Sequence, residues 1–164
     1  MKAHPNIHNN DHPEVIVFPP LIPAAAILLG MGLQWLVPLH VLNSWPAGRW
    51  VGCVILPIGV LMLVVALSSL RRHETNVSPF APTTNLVTSG IFRWSRNPIY
   101  TGGTLVMLGL ALLGGLDWIV VLTAPSVLIL HFGVVRPEES YLAGRFGEAY
   151  RLYQQRVPRY LGPL

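Results

Sequence analysis

Two short polar stretches in a largely apolar chain carry side chains that can do chemistry. The first, Gly90-Ile91-Phe92-Arg93-Trp94-Ser95-Arg96-Asn97-Pro98-Ile99-Tyr100, offers two guanidiniums, an amide and a phenol among aromatic rings. The second, Arg136-Pro137-Glu138-Glu139, offers a pair of carboxylates beside another guanidinium. A guanidinium matches a carboxylate bidentately. A carboxylate accepts from ammonium and hydroxyl groups, and an aromatic face attracts a cation. A plainer reading exists for each: Arg93 and Arg96 as topology signals, Glu138 and Glu139 as first-turn residues of a helix with Arg partners.

The elements that must position these groups follow from where charge is missing. The chain is 52% hydrophobic and 11% charged, with a mean hydropathy of +0.51. A soluble domain usually carries about 25% charged residues. No Asp, Glu, Lys or Arg occurs in 15–48, 50–70, 97–116 or 118–135. Each gap approaches or exceeds the ~18–20 residues that cross a hydrocarbon core. The expectation is an all-α integral membrane protein with spans at 21–37, 50–70, 98–113 and 118–135. The Gly114-Gly115-Leu116-Asp117 turn makes the third and fourth spans a helical hairpin. Both polar stretches therefore emerge at one end.

The rest of the chain is organised around these spans. Residues 1–18 read as a polar tail, and 19–164 as one domain. Asp11 and Glu14 ahead of the first apolar run argue against a cleavable signal. Pro57 and Gly59 interrupt the second span, and Gly102, Gly103 and Gly109 in the third permit close packing. The 71–96 connector is long, and its apolar run from Leu86 to Phe92 predicts order. Leu142, Phe146, Tyr150, Tyr153 and Val157 repeat at helical spacing, which predicts an amphipathic helix over 137–156 on the membrane surface or the bundle.

Charge placement sets the topology. The connector holds Arg71, Arg72, Arg93 and Arg96, and the tail holds Arg136, Arg145, Arg151, Arg156 and Arg159. With Lys2 they fall on one side of a four-span arrangement, leaving Arg49 opposite. The positive-inside rule then puts both termini and the connector in the cytoplasm. The same placement argues that the net charge of +4 does not signal nucleic acid. Cys53 reads as a small buried hydrophobe. His4, His8 and His12 sit at helical spacing, but Pro5 and Pro13 oppose a helix, so no metal site is assigned. His131, inside the fourth span, is either a site residue or a neutral ring bonded to a neighbouring helix.

The residues also resemble a family. The run Leu86 to Phe92, then Ser95-Arg96-Asn97-Pro98-Ile99-Tyr100-Thr101-Gly102, resembles the signature of isoprenylcysteine carboxyl methyltransferases and related bacterial and phospholipid methyltransferases. So do Glu138-Glu139-Ser140-Tyr141-Leu142, Phe146-Gly147-Glu148-Ala149-Tyr150, Tyr153 and Arg156-Val157-Pro158-Arg159. The resemblance covers about residues 71–160 and implies S-adenosylmethionine bound at the cytoplasmic face. It implies cofactor contacts from Leu86, Val87, Phe92, Arg96, Asn97, Pro98, Tyr100 and Glu138, with Arg136 and Glu139 on the catalytic side. Asn97 stands where the isoprenylcysteine enzymes carry a His. It can hydrogen-bond a cofactor but cannot titrate.

By the same resemblance, Glu138 or Glu139 would accept from the cofactor's ammonium or ribose hydroxyls. Arg93 or Arg96 would hold its carboxylate, and Phe92, Trp94 and Tyr100 would offer faces to adenine or sulfonium. Methyl transfer then rests mainly on alignment and exclusion of water. Thiols, lipids, amines and hydrophobic carboxylates all remain open as the acceptor, which would share the membrane lipids as surroundings. Two other classes compete. A sterol-type reductase has a similar hairpin and an Arg-x-Pro-x-Tyr region but uses NADPH, and is usually longer. A small four-helix transporter or assembly protein would leave the two polar stretches idle.

Overall fold

The computed structural model describes residues 12, 13, 15, 18–76 and 80–161. Lys2, His4, Pro5, His8, Asp11, Glu14 and Pro79 lie outside the described residues, and with them most of the expected 1–18 tail. Every regular element among the described residues is helical. These are α1 (Leu21–Leu36), α2 (Ala47–Arg72), α3 (Pro98–Gly114), α4 (Asp117–Leu130), α5 (Arg136–Phe146) and α6 (Glu148–Arg156). A π-helical turn, His131–Val135, joins α4 to α5, so one helix runs from Asp117 to Phe146.

Each of the four apolar stretches is a helix. Two helices, Ala47–Arg72 and Asp117–Phe146, are long and apolar enough to cross a membrane. The other two, α1 and α3, are apolar but have only 16 and 17 residues. At ~1.5 Å per residue those two sit at the short end of what a bilayer core needs. Leu28, Leu36, Val54, Leu61, Val64, Val121 and Leu128 all point outward and are exposed. A soluble monomer rarely shows that much contiguous apolar surface. Cys53, expected to be buried, is also exposed on α2. In an apolar solvent, outward burial is not needed to shelter a small side chain.

Backbone contact holds α2 to α3. A Cβ at Gly59 would lie 2.7 Å from Val106 N and 2.8 Å from Gly102 O. A Cβ at Gly109 would lie 2.7 Å from Leu56 Cβ. Gly59 therefore faces Gly102 while Gly52 faces Gly109, which makes the two helices antiparallel. Lipid gives no hydrophobic drive for two apolar helices to associate, so this close approach supplies dispersion contact instead. α1 packs against α4, and α3 against α4. Ala26, Met107, Ala111 and Ile119 form the buried cluster among the three.

The turn between α3 and α4 needs Gly115, whose φ is +64°. At that end of the bundle Asp117 Oδ1 accepts from Leu42 N at 2.9 Å, and Trp118 Nε1 donates to Val37 O at 2.7 Å. The expected single helix over 137–156 is instead two. Gly147, with φ +54°, breaks it between α5 and α6. The apolar stripe survives the break: Tyr150, Tyr153 and Val157 cluster with Leu142, Phe146 and Leu86.

Gly59→Leu should lower stability in detergent by about 1–3 kcal/mol through overpacking against α3. Gly32→Ala, where an added Cβ meets nothing within 4 Å, should leave the unfolding midpoint unchanged or slightly raised. Equal loss in both variants would mean that the α2–α3 approach is not what the glycines provide.

Candidate functional site

The end of α2, the start of α3 and the length of α5 meet around one cleft. A fourth wall comes from the connector between α2 and α3. Its two limbs are tied by Thr75 Oγ1 donating to Asn85 O at 2.9 Å, and by Asn85 Nδ2 donating to His73 O at 2.8 Å. Thr83 N donates to Tyr141 Oη of α5 at 3.3 Å and anchors the loop across the cleft. Ala66, Val87 and Phe92 cluster beneath it, with Leu70, Ile91 and Ile99.

The segment entering α3 is fixed residue by residue. Ser95 Oγ accepts from Asn97 N at 3.1 Å. Pro98 opens the helix, where a missing N–H costs nothing. Arg96 N donates to Pro158 O at 2.9 Å, and Tyr153 Oη donates to Phe92 O at 2.6 Å. The stretch after α6 therefore returns to the start of α3. Burial pushes the Tyr150 and Tyr153 phenols upward in pKa.

Glu139 is the buried charge of the site. Arg159 brings Nε and Nη2 to its Oε2 at 3.0 and 2.8 Å. Asn97 Nδ2 donates to its Oε1 at 3.2 Å and to Arg159 O at 3.2 Å. That spends both Asn97 amide hydrogens on the protein. The hydrogen bond to Glu139 holds the Arg159 guanidinium above its usual pKa. Arg96 Nη2 stands 3.6 Å from Glu139 Oε1, with its side chain 10% exposed. Arg96 Nε and Nη1 are buried and find no acceptor among the described residues. One helical position back, Glu138 Oε1 accepts from Tyr100 Oη at 2.7 Å.

The cleft is lined by Leu86, Val87, Phe92, Arg96, Asn97, Pro98, Tyr100, Glu138 and Glu139. Those nine residues, read from two separate stretches, thus come together. Arg136 does not join them: it is exposed and stacks on the Phe132 ring at 5.7 Å. Arg93 and Trp94 are also exposed and do not line the cleft. His131 Nδ1 lies 3.0 Å from Tyr160 Oη, a partner in the C-terminal stretch. Thr75, Asn76, Thr83 and Asn85 line the cleft too, as do Tyr150 and Tyr153. The tyrosines carried a signal in the apolar stripe of α5 and α6, whereas the four loop residues follow no periodicity. Among the described residues no three His, Cys, Asp or Glu side chains gather as a metal would require.

The cleft measures about 130 Å³ and opens outward. A second, apolar cavity of about 560 Å³ lies on the bundle side, between α2, α3 and α4. Ile99 and Tyr100 border both cavities. Leu63, Leu67, Met107 and Leu130 line the second, and the Phe18-Pro19-Pro20 segment forms part of its rim.

A sequence profile of phospholipid methyltransferases matches residues 47–149. Over 114 residues the chain is 30% identical to the cobalt-zinc-cadmium resistance protein CzcN of Cupriavidus metallidurans, covering 69% of this chain and 51% of that protein. Over 74 residues it is 36% identical to the protein-S-isoprenylcysteine O-methyltransferase of Schizosaccharomyces pombe, covering 44% of this chain and 31% of that protein. The chain thus spans about half the length, or less, of these curated relatives. No solved structure matches it.

Glu139→Ala should be severely destabilising, by about 3–5 kcal/mol, because it strands a buried guanidinium. The check is the unfolding midpoint in detergent, set against Ser140→Ala on the exposed side of the same helix. Comparable midpoints for the two variants would remove Glu139 from its place as the site's tether.

Proposed function

The chain belongs to the phospholipid methyltransferase family, and from that premise we propose that it is an S-adenosylmethionine-dependent methyltransferase. It acts at the cytoplasmic membrane face on a lipophilic acceptor. The observation that carries the reading is Arg96, nine-tenths buried beside the cleft with two donor nitrogens that lack an acceptor. A buried charged donor left unpaired is costly, and a ligand carboxylate would satisfy it.

The donor set fits the cofactor. Arg96 would hold its carboxylate, and Glu138 would accept from its ammonium or ribose hydroxyls. Leu86, Val87 and Phe92 would give an apolar wall, and Thr75 and Asn85 polar partners at the mouth. At about 130 Å³ the cleft is smaller than the ~300–1,000 Å³ of whole-ligand pockets, so part of the cofactor would extend outward between the connector and α5. When bound, S-adenosylmethionine supplies an electrophilic methyl group carried on a sulfonium. Tyr100 borders both the cleft and the apolar cavity, and Glu138, bonded to it, lines the cleft beside it. They orient the groups that meet there, and their hydrophobic surroundings exclude water. Glu139 works indirectly, by fixing Asn97 and Arg96. Arg136 is left to face the lipid headgroups.

The apolar cavity suits the hydrocarbon of the acceptor. Thr104 and Ser126 spend their hydroxyls on their own helix backbones. That leaves few polar groups to recognise anything but a chain. The same arrangement supports a topology in which α1 to α4 are four spans, both termini are cytoplasmic and residues 19–164 act as one domain. The antiparallel α2–α3 pair and the α3–α4 hairpin put Arg71, Arg72, Arg93 and Arg96 at the cleft end and Arg49 at the other, as the positive-inside rule requires.

S-adenosylhomocysteine should raise the unfolding midpoint of the wild type, by ligand linkage, while NADPH should not. Glu138→Ala should stay folded and lose that shift; a shift with NADPH alone would favour a reductase and sink the methyltransferase reading. Gly103 borders the apolar cavity, and a Cβ there meets nothing within 4 Å. Gly103→Phe should therefore fill the cavity and lower kcat/KM for a lipophilic acceptor about tenfold or more. Its affinity for S-adenosylhomocysteine should not change. Undiminished turnover would place the acceptor elsewhere.

A further inference from the structure

Glu139 has two oxygens and three donors competing for them. Arg159 holds Oε2 with both Nε and Nη2, and Asn97 holds Oε1. Arg96 reaches Oε1 only through Nη2, at 3.6 Å. Two guanidiniums therefore face one carboxylate, and one positive charge is left over. It resides on Arg96, the more buried of the two: its side chain is 10% exposed, against 37% for Arg159.

Arg159 lies in the stretch after α6, outside both of the polar segments that build the rest of the site. That stretch is seated by backbone groups. Pro158 O accepts from Arg96 N. Arg159 O accepts from Ser95 Oγ at 3.3 Å and from Asn97 Nδ2 at 3.2 Å. The Arg159 side chain is thus free to serve Glu139. With Oε2 occupied, Arg96 cannot close a bidentate pair on that carboxylate. Its Nε and Nη1 remain without an acceptor among the described residues, beside the cleft.

We infer that Arg159 is a positioning residue: by occupying Glu139 it keeps Arg96 off that carboxylate and available to the carboxylate of the cofactor. The inference rests on the cofactor reading above. Without the Arg159 side chain, Glu139 Oε2 opens to Arg96, and a bidentate Arg–carboxylate pair is the favoured geometry. Arg96 then turns from the ligand to its neighbour. The loss falls on the anionic end of the ligand alone.

Calorimetry on the full chain in detergent separates the two ends. The ligands are S-adenosylhomocysteine and its analogue lacking only the carboxylate. The wild type should prefer the carboxylate form about tenfold or more, as a charged hydrogen bond requires. Arg159→Ala should cut that preference to about threefold or less, with the affinity for the decarboxylated analogue unchanged. Arg159→Lys, which keeps the charge and one donor, should fall between them. An equal loss for both ligands in Arg159→Ala would show a merely structural role and overturn the inference, as would an undiminished preference. Should the wild type bind neither ligand, the cofactor reading itself falls and this inference with it.

Discussion

A carboxylate withdrawn from water must be compensated where it lies, and Glu139 imposes that requirement on the whole site. Its partners come from the start of α3 and from the stretch after α6, while the carboxylate itself rides on α5. The desolvation cost of a buried charge is large, and only well-placed hydrogen bonds offset it. Satisfying Glu139 therefore draws three distant segments together. Asn97 spends both amide hydrogens in doing so, and the Asn97 and Arg96 backbones are pinned from either side. Arg96 is left with donors facing the cleft. The ligand contact proposed for Arg96 is thus the remainder of a charge balance that holds the site together.

The bundle below obeys a different rule. Its helices carry apolar side chains outward as well as inward, so burying apolar area cannot decide which helix packs on which. Close backbone approach decides it. Gly52, Gly59, Gly102 and Gly109 let α2 and α3 touch along their length. The α2–α3 pair in turn delivers the ends of both helices to the cleft with little freedom to slide.

The apolar stretches were legible because missing charge is a strong signal, and each one is a helix. The convergence of Asn97, Tyr100, Glu138 and Glu139 was legible too, because a hairpin obliges its two ends to meet. Arg136 looked equivalent to its neighbours in sequence, yet helical rotation carries it onto Phe132 and away from them. Gly147 after Phe146 is an ordinary helix stop, but the apolar stripe runs through it and hid the break. Thr75 and Asn85 were invisible as site residues, since their place depends on a loop closing on itself. Arg159 stood in the family-like Arg156-Val157-Pro158-Arg159 run and among the basic residues, but its pairing with Glu139 was not legible, for that partner lies twenty positions away.

The helix from Asp117 to Phe146 is continuous. The π-helical turn at His131–Val135 adds a residue to one coil but leaves the rod whole. Glu138 and Glu139 therefore ride on the same shaft that α1 braces through Ile119 and Leu130. Side chains deep in that brace thus share one backbone with both carboxylates. Distance from the cleft is then a poor guide to which substitutions leave the two carboxylates in place.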